Sequence, residues 1–202
     1  MAEDIRICFV GDSFVNGTGD ETALGWAGRL CAAAHARGVS LTWYNLGIRR
    51  DTSREVLTRW RAECTARLPA ACDGRIVLSC GVNDAMIENG AVRVSPDESR
   101  ANVRRMLGDA GKYRLLVVGP PPVADDEHNQ RIMRLSEAFS REAAALGVPY
   151  VDVYSVLASD ADYRHEIARN DGAHPRSRGY AKLAEIVGSS PSWWFRDPRR
   201  HA

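Results

Sequence analysis

Short apolar segments alternate along the chain with longer segments whose apolar residues recur at helical spacing. The short segments are rich in β-branched residues and bounded by Gly or Pro, a pattern typical of strands buried on both faces. They predict five strands, at residues 5–10, 41–45, 75–79, 114–118 and 150–153.

The segments between these strands predict helices. Apolar residues at intervals of three and four mark one buried helix face at residues 24–37, 52–68, 129–146 and 177–187. Ser95 followed by Pro96 marks the start of another helix, and Thr52 with Glu55 has the spacing of a capping box. Five strand–helix units predict an α/β fold, a three-layer α/β/α sandwich around a five-stranded parallel sheet.

Length and composition indicate a single globular domain. The chain has 202 residues, of which 45% are hydrophobic, and it contains no repeat or low-complexity linker. We therefore expect one domain over residues 1–202, with a C-terminal tail from about residue 189. Trp193, Trp194 and Phe195 in that tail are expected to dock on the domain or on a partner subunit, or alternatively to cover a cleft.

Charge and cysteine content exclude several classes of function. The 27 basic and 26 acidic residues give a net charge of +1, which does not favour nucleic acid as a partner. The apolar run at residues 5–10 is interrupted by Arg6, so we expect neither a signal peptide nor a membrane span, and a cytoplasmic protein. The five cysteines form no CxxC pair, which favours reduced core thiols over disulfides or a metal site.

Residues suited to catalysis follow the predicted strands. Ser13 follows the first strand, Gly47 the second and Asn83 the third, while Asp171 and His174 precede the last helix. In a parallel sheet these positions meet at one edge, where ligands bind. A serine, a histidine and an aspartate can serve as nucleophile, base and orienting acid. Taken singly, the serine could be a helix cap, the glycine a turn, and the asparagine another cap.

Four blocks of sequence together resemble the GDSL family of the SGNH hydrolase superfamily. In family order they are Gly11-Asp12-Ser13-Phe14, Asn45-Leu46-Gly47-Ile48-Arg49-Arg50-Asp51-Thr52, Gly81-Val82-Asn83-Asp84 and Asp171-Gly172-Ala173-His174-Pro175. Phe14 stands where the family name has leucine. The resemblance implies an SGNH hydrolase, flavodoxin-like fold and a catalytic triad of Ser13, His174 and Asp171. It also implies an oxyanion hole formed by the Ser13 and Gly47 backbone N–H groups and the Asn83 amide.

One position departs from the family pattern. Arg50, preceded by Arg49, stands where the second glycine of the Asn-x-Gly-x-x-Gly block is usual. The two arginines are expected to face solvent, since no acidic partner is evident; alternatively, they contact an anionic or hydroxyl-rich substrate. Asp12 is expected to brace the turn beside Ser13 rather than to react.

These observations predict a serine esterase or lipase-like hydrolase of small acyl esters that needs no metal or cofactor. Acyl transfer or carbohydrate O-acetyl ester hydrolysis by the same triad is an alternative. A non-catalytic carbohydrate- or partner-binding module is another, but such a module has no need of Ser13, Asp171 and His174 together. The oligomeric state is not predicted.

Overall fold

The computed structural model describes residues 4–196. The strands within this range are β1 (Ile5–Gly11), β2 (Leu41–Gly47), β3 (Asp73–Ser79), β4 (Ile87–Glu88), β5 (Ala91–Val92), β6 (Arg114–Val118) and β7 (Tyr150–Val151). The helices are α1 (Ser13–Asn16), α2 (Gly25–His35), α3 (Ser53–Arg67), α4 (Pro96–Gly108), α5 (Asp126–Ala145), α6 (Tyr154–Ser159), α7 (Ala161–Arg169) and α8 (Ser177–Ser189). No described helix is long and apolar enough to cross a membrane.

The central sheet is five-stranded and all parallel, in the order β2-β1-β3-β6-β7, so the predicted fold class is confirmed. Strand β1 pairs along its whole length with both β2 and β3. In this register Gly11 lies opposite Gly47 on one side and opposite Ser79 on the other. The carboxyl ends of the three strands are therefore level, and the loops that follow them start side by side.

Helices cover the sheet in two groups. Helix α2 packs against α8, which also contacts α7, while α3 packs against α4 and α4 against α5. From β1 the chain passes to β2 on one side and then crosses back to β3 on the other side of β1. Because such crossovers are right-handed, the two groups of helices lie on opposite faces of the sheet. The reversal makes the carboxyl ends of β1 and β3 the switch point of the sheet, where α/β folds bind ligands.

The helix-start signals in the sequence form as predicted. Thr52 caps α3 in a complete capping box, in which Glu55 accepts the Thr52 N–H at 2.7 Å. Ser95 caps α4, with Pro96 as its first residue. Helix α5 begins three residues before the predicted start because Asp125 caps it, accepting the His128 N–H at 2.6 Å.

Some elements were not predicted. The β4–β5 hairpin turns at Asn89 and Gly90, both with positive φ, and Asn-Gly is a strong signal for such a turn. Asp160 caps α7, but α6 has no side-chain cap. Strand β7 ends at Val151, two residues before the predicted end, whereas β2 extends two residues further, to Gly47.

The described part of the C-terminal tail docks on its own domain. Trp193 is buried, with its ring centroid 6.4 Å from that of Phe9. The Arg75 guanidinium lies 5.3 Å from the ring centroid of Trp194 and 4.7 Å from that of Phe195. Because Arg75 is near the amino end of β3, the tail lies away from the carboxyl edge of the sheet. The rest of the predicted tail lies outside the described residues.

Candidate active site

Ser13 is the first residue of α1, a single helical turn that starts directly after β1. Asp12 caps this helix by accepting the Phe14 N–H at 2.9 Å, and Gly17 ends it in the left-handed conformation. As the first helical residue, Ser13 presents one of the amides that a helix leaves without an intrahelical acceptor. The serine is buried against the floor of a cleft at the carboxyl edge of the sheet.

The structure brings Ser13, His174 and Asp171 into one hydrogen-bonded chain. The His174 Nε2 atom lies 2.7 Å from the Ser13 Oγ atom, and the His174 Nδ1 atom lies 2.7 Å from an Asp171 carboxylate oxygen. With the Asp171 carboxylate accepting a hydrogen bond from Nδ1–H, Nε2 carries a lone pair that faces the serine hydroxyl. The arrangement can therefore take the serine proton and stabilise the imidazolium that forms.

Local contacts fix the histidine ring. The second oxygen of the Asp171 carboxylate accepts the backbone N–H groups of Ala173 and His174, at 3.0 and 2.8 Å. Partial burial tends to raise the pKa of Asp171, but the backbone and side-chain hydrogen bonds from His174 outweigh it and hold this pKa at about 2. Phe14 packs against the imidazole, with ring centroids 5.0 Å apart. Aspartate and histidine thus form a preorganised pair.

Asp12 is buried beside Ser13 without a cationic partner among the described residues. One of its oxygens caps α1, while the other has no hydrogen-bond partner. Burial raises the pKa of Asp12 to about 7, and the nearby Asp84 and Asp51 carboxylates act in the same direction. The geometry supports the predicted bracing role, since Asp12 holds the turn that carries Ser13.

Asn83 lies on the wall of the cleft. Its side-chain amide donates to the Asp51 backbone carbonyl at 2.9 Å, which leaves the second amide N–H for another acceptor. The neighbouring Asp84 carboxylate is buried and accepts the Ser53 N–H at 2.7 Å. Asn83 is therefore held in a defined orientation by the start of α3 and by the loop before it.

The backbone N–H of Gly47, which is predicted as an oxyanion donor, has a hydrogen-bond acceptor within the protein. It donates to the Asn45 side-chain oxygen at 3.0 Å, and Gly47 is absent from the residues that line the cleft. A Cβ atom at this position would lie 2.2 Å from the Asn16 backbone nitrogen and 2.6 Å from the Asp12 carbonyl oxygen. Glycine is thus required so that the backbone of α1 can pack against β2, which holds Ser13 in place.

The two arginines of the second block stand at the rim of the cleft. Both are exposed to solvent, as expected, and both line the cleft. The expectation that they lack an acidic partner is wrong for Arg50, whose guanidinium lies 2.6 Å from the Glu88 carboxylate of the β4–β5 hairpin. Arg50 has a φ of +70°, a conformation that glycine adopts more readily, which explains why the family pattern has glycine here.

The cleft has a volume of about 470 Å³, within the range of small-molecule sites. Ser13 and the Asp171–His174 pair lie along one part of it, and Met86, Val123 and His128 line the rest. No motif in the sequence marks His128 as part of this cleft. Its Nε2 atom lies 2.8 Å from the Val82 carbonyl oxygen, and burial lowers its pKa. His128 therefore braces the segment that carries Asn83 as a neutral side chain.

The expectations of no metal site and of reduced thiols concern the His, Cys, Asp and Glu side chains of the described residues. The described residues contain no group of three or more His, Cys, Asp or Glu placed to hold a metal ion. All five cysteines are free thiols, and four of them are buried.

Solved structures with a similar fold are hydrolases. A lipase/acylhydrolase from Enterococcus faecalis has a TM-score of 0.75 and 23% identity, with 91% of this chain and 93% of that chain covered. A variant of an acetyl xylan esterase from Geobacillus stearothermophilus has a TM-score of 0.76 and 18% identity, with 98% and 99% covered. An alpha/beta hydrolase enzyme from the metagenome of Lake Arreo, Spain, has a TM-score of 0.76 and 19% identity, with 96% and 98% covered.

The amino-acid sequence matches a protein family over most of its length. No curated protein matches the chain with significance. The GDSL-like Lipase/Acylhydrolase family matches residues 9–182, a segment that contains all four sequence blocks and every residue of the cleft described above. The chain therefore belongs to the GDSL-like lipase/acylhydrolase family and is a serine ester hydrolase.

Proposed function

We propose that this protein hydrolyses small acyl esters through an acyl-serine intermediate, with Ser13 as nucleophile, His174 as base and Asp171 as orienting acid. The observation that carries the proposal is the continuous chain of 2.7 Å contacts from the Ser13 hydroxyl through the imidazole to the Asp171 carboxylate. Such a chain activates a hydroxyl that is otherwise a weak nucleophile at neutral pH.

The reaction follows from this geometry in two halves. His174 Nε2 takes the proton as Ser13 Oγ attacks the ester carbonyl, and the resulting imidazolium then protonates the departing alcohol oxygen. A water molecule, deprotonated by His174, next attacks the acyl-serine carbonyl, and the returning proton regenerates the serine hydroxyl. These steps use only side chains of the protein, so activity in the presence of EDTA is expected.

The negative charge on the tetrahedral oxygen needs preorganised donors. We assign two of them to the Ser13 N–H, at the start of α1, and the free amide N–H of Asn83. Gly47 remains a prediction as the third donor, because its N–H would have to be shared with the Asn45 oxygen. The Arg50 N–H, on the loop that lines the cleft, is an alternative donor. Loss of one such donor typically lowers turnover by about 10²–10³-fold.

A second candidate is hydrolysis of acetyl esters on carbohydrates. The rim of the cleft carries Arg49, Asp125 and Arg50, polar groups suited to hydroxyl-rich molecules, and the volume of the cleft fits a short acyl chain. The similar fold of an acetyl xylan esterase is consistent with this candidate. Acyl transfer to such an alcohol would use the same intermediate with a different acceptor.

The test is labelling and mutation of the nucleophile. A fluorophosphonate should add to Ser13 in intact protein, as located by peptide mass spectrometry, and Ser13→Ala should lower turnover of p-nitrophenyl acetate by at least about 10³-fold. Ser79→Ala is the matched control, since Ser79 is also a buried serine at a strand end but lies outside the cleft lining. It should retain turnover within about threefold.

Two outcomes would contradict the proposal. One is wild-type turnover by a folded Ser13→Ala variant, and the other is the absence of both labelling and ester hydrolysis in the wild-type protein, which would favour a binding module. A panel of p-nitrophenyl esters of graded length and acetylated sugars, with and without an added alcohol acceptor, separates the candidate substrates.

A further inference from the structure

Arg59, on the buried side of α3, binds backbone and side-chain groups from three different segments. Its side chain is only 15% exposed. The guanidinium donates to the Gly11 carbonyl at 2.8 Å, to the Leu46 carbonyl at 2.9 Å and to the Asp51 carboxylate at 2.7 Å. A fourth contact, at 3.1 Å, is with the Glu63 carboxylate one turn along α3.

Each of the three acceptors outside α3 belongs to a segment that carries part of the candidate site. Gly11 ends β1, two residues before the nucleophile. Leu46 and Asp51 stand at the two ends of the loop at residues 47–50, which lines the cleft with both of its arginines. The backbone carbonyl of Asp51 in turn accepts the Asn83 amide at 2.9 Å. The Arg59 guanidinium is therefore connected, directly or through Asp51, to the segments that hold each donor of the proposed oxyanion hole.

We propose that Arg59 is a positioning residue of the oxyanion hole, which fixes the loop at residues 47–50 and the Asn83 amide relative to Ser13. The inference rests on the proposed function. Arg59 is absent from the residues that line the cleft, so it acts through the groups it holds and not by touching substrate.

The chemistry of the guanidinium suits this role better than that of an amine. Its planar fork directs donors to several acceptors at fixed angles. Three acceptors on different segments are satisfied at the same time, and two carboxylates balance the buried charge. A lysine would keep the charge and a contact with Asp51, but a single ammonium cannot reproduce the planar arrangement that spans both carbonyls.

Positioning of this kind has a kinetic signature. Donors to the oxyanion act on the transition state and not on the bound ester, so their misplacement lowers kcat while KM changes little. A misplacement of about 1 Å can lower the rate by about 10²-fold. Phosphonylation by a fluorophosphonate places an oxygen in the same position, and its rate should fall in parallel.

The experiment compares Arg59→Gln and Arg59→Lys with Arg75→Gln. Arg75 is the matched control because it is also a buried arginine paired with an aspartate, Asp73, but it lies near the amino end of β3. For each protein we would measure kcat and KM for p-nitrophenyl acetate, the rate of Ser13 phosphonylation and the thermal midpoint. Circular dichroism would establish which variants fold.

We expect kcat and the phosphonylation rate of Arg59→Gln to fall about 10²-fold, with KM within threefold of wild type. Arg59→Lys should have a thermal midpoint closer to that of wild type than Arg59→Gln has, yet its kcat should remain at least tenfold below the wild-type value. Arg75→Gln should have a lower thermal midpoint, while its kcat stays within about twofold of wild type. Folded Arg59 variants with wild-type kcat, or an equal loss of kcat in Arg75→Gln, would overturn the positioning role. So would failure of both Arg59 variants to fold, since Arg59 would then be structural. Absence of labelling and hydrolysis in the wild-type protein would instead overturn the proposed function.

Discussion

Replacing Asp12 by asparagine should stabilise the protein increasingly as the pH rises. The pKa of this carboxyl is raised from 3.8 to about 7 by burial, so the folded state opposes its ionisation. An acid with a raised folded pKa costs no stability below its unfolded pKa; the cost grows between the unfolded and the folded pKa and is constant above the folded value. The asparagine oxygen can still accept the Phe14 N–H that starts α1.

The magnitude follows from the two pKa values. Each pKa unit corresponds to about 1.4 kcal/mol. At pH 5 the cost of Asp12 to the free energy of unfolding corresponds to the interval from pH 3.8 to pH 5. At pH 8 it corresponds to the full interval from 3.8 to about 7. The stability of Asp12→Asn relative to wild type should therefore increase by about 2–3 kcal/mol between pH 5 and pH 8.

Urea unfolding of both proteins at pH 5, 6, 7 and 8 measures this difference directly. Asp160→Asn is the control, because Asp160 also caps a helix, α7, but its pKa is lowered by the Lys182 hydrogen bond. An acid with a lowered pKa is ionised in both states above about pH 5, so the control should show a constant difference. A constant difference for Asp12→Asn as well would refute the reasoning.

Two further predictions concern the second block. Gly47→Ala should lower the free energy of unfolding, measured by urea denaturation, by at least about 1–3 kcal/mol, because the added Cβ would overlap the backbone of α1. Gly108→Ala is the control: its added Cβ meets open space, so its free energy of unfolding should be unchanged or slightly higher. Arg49→Ala should raise KM for an anionic ester such as p-nitrophenyl hemisuccinate by about two- to fivefold, the effect of one exposed charge pair, and leave p-nitrophenyl acetate unchanged. Arg50→Ala should have a smaller effect because Glu88 already binds that side chain, and an unchanged KM in both variants would show that the two arginines only face solvent.

The sequence predicts the sheet because strands such as β1 and β3 are buried on both faces and therefore contain long apolar runs. It also places Ser13, Asn83, Asp171 and His174 on one cleft, since family blocks report the order of the loops along a sheet edge. The same reasoning missed the β4–β5 hairpin, although its Asn89-Gly90 turn is a readable signal.

Periodicity and motifs do not predict contacts between side chains that are far apart in the sequence. Arg59 appears in the sequence as one of several arginines on a helix, and nothing in its spacing indicates that it binds two strand ends. The φ of +70° at Arg50 is likewise set by the loop and its neighbours. The predicted donor role of Gly47 came from the block pattern alone, which does not show where an N–H points.

The contact between Ser13 and His174, which we propose as catalytic, joins residues 161 positions apart in the chain. A contact of such high sequence separation has a large loop-closure entropy, and it brings together the first strand and the segment before the last helix. No folding intermediate that lacks either end of the domain can hold the two atoms in place. Recovery of esterase activity during refolding should therefore coincide with the last cooperative folding step. The rate at which hydrolysis of a chromogenic ester recovers then measures how fast the whole domain folds.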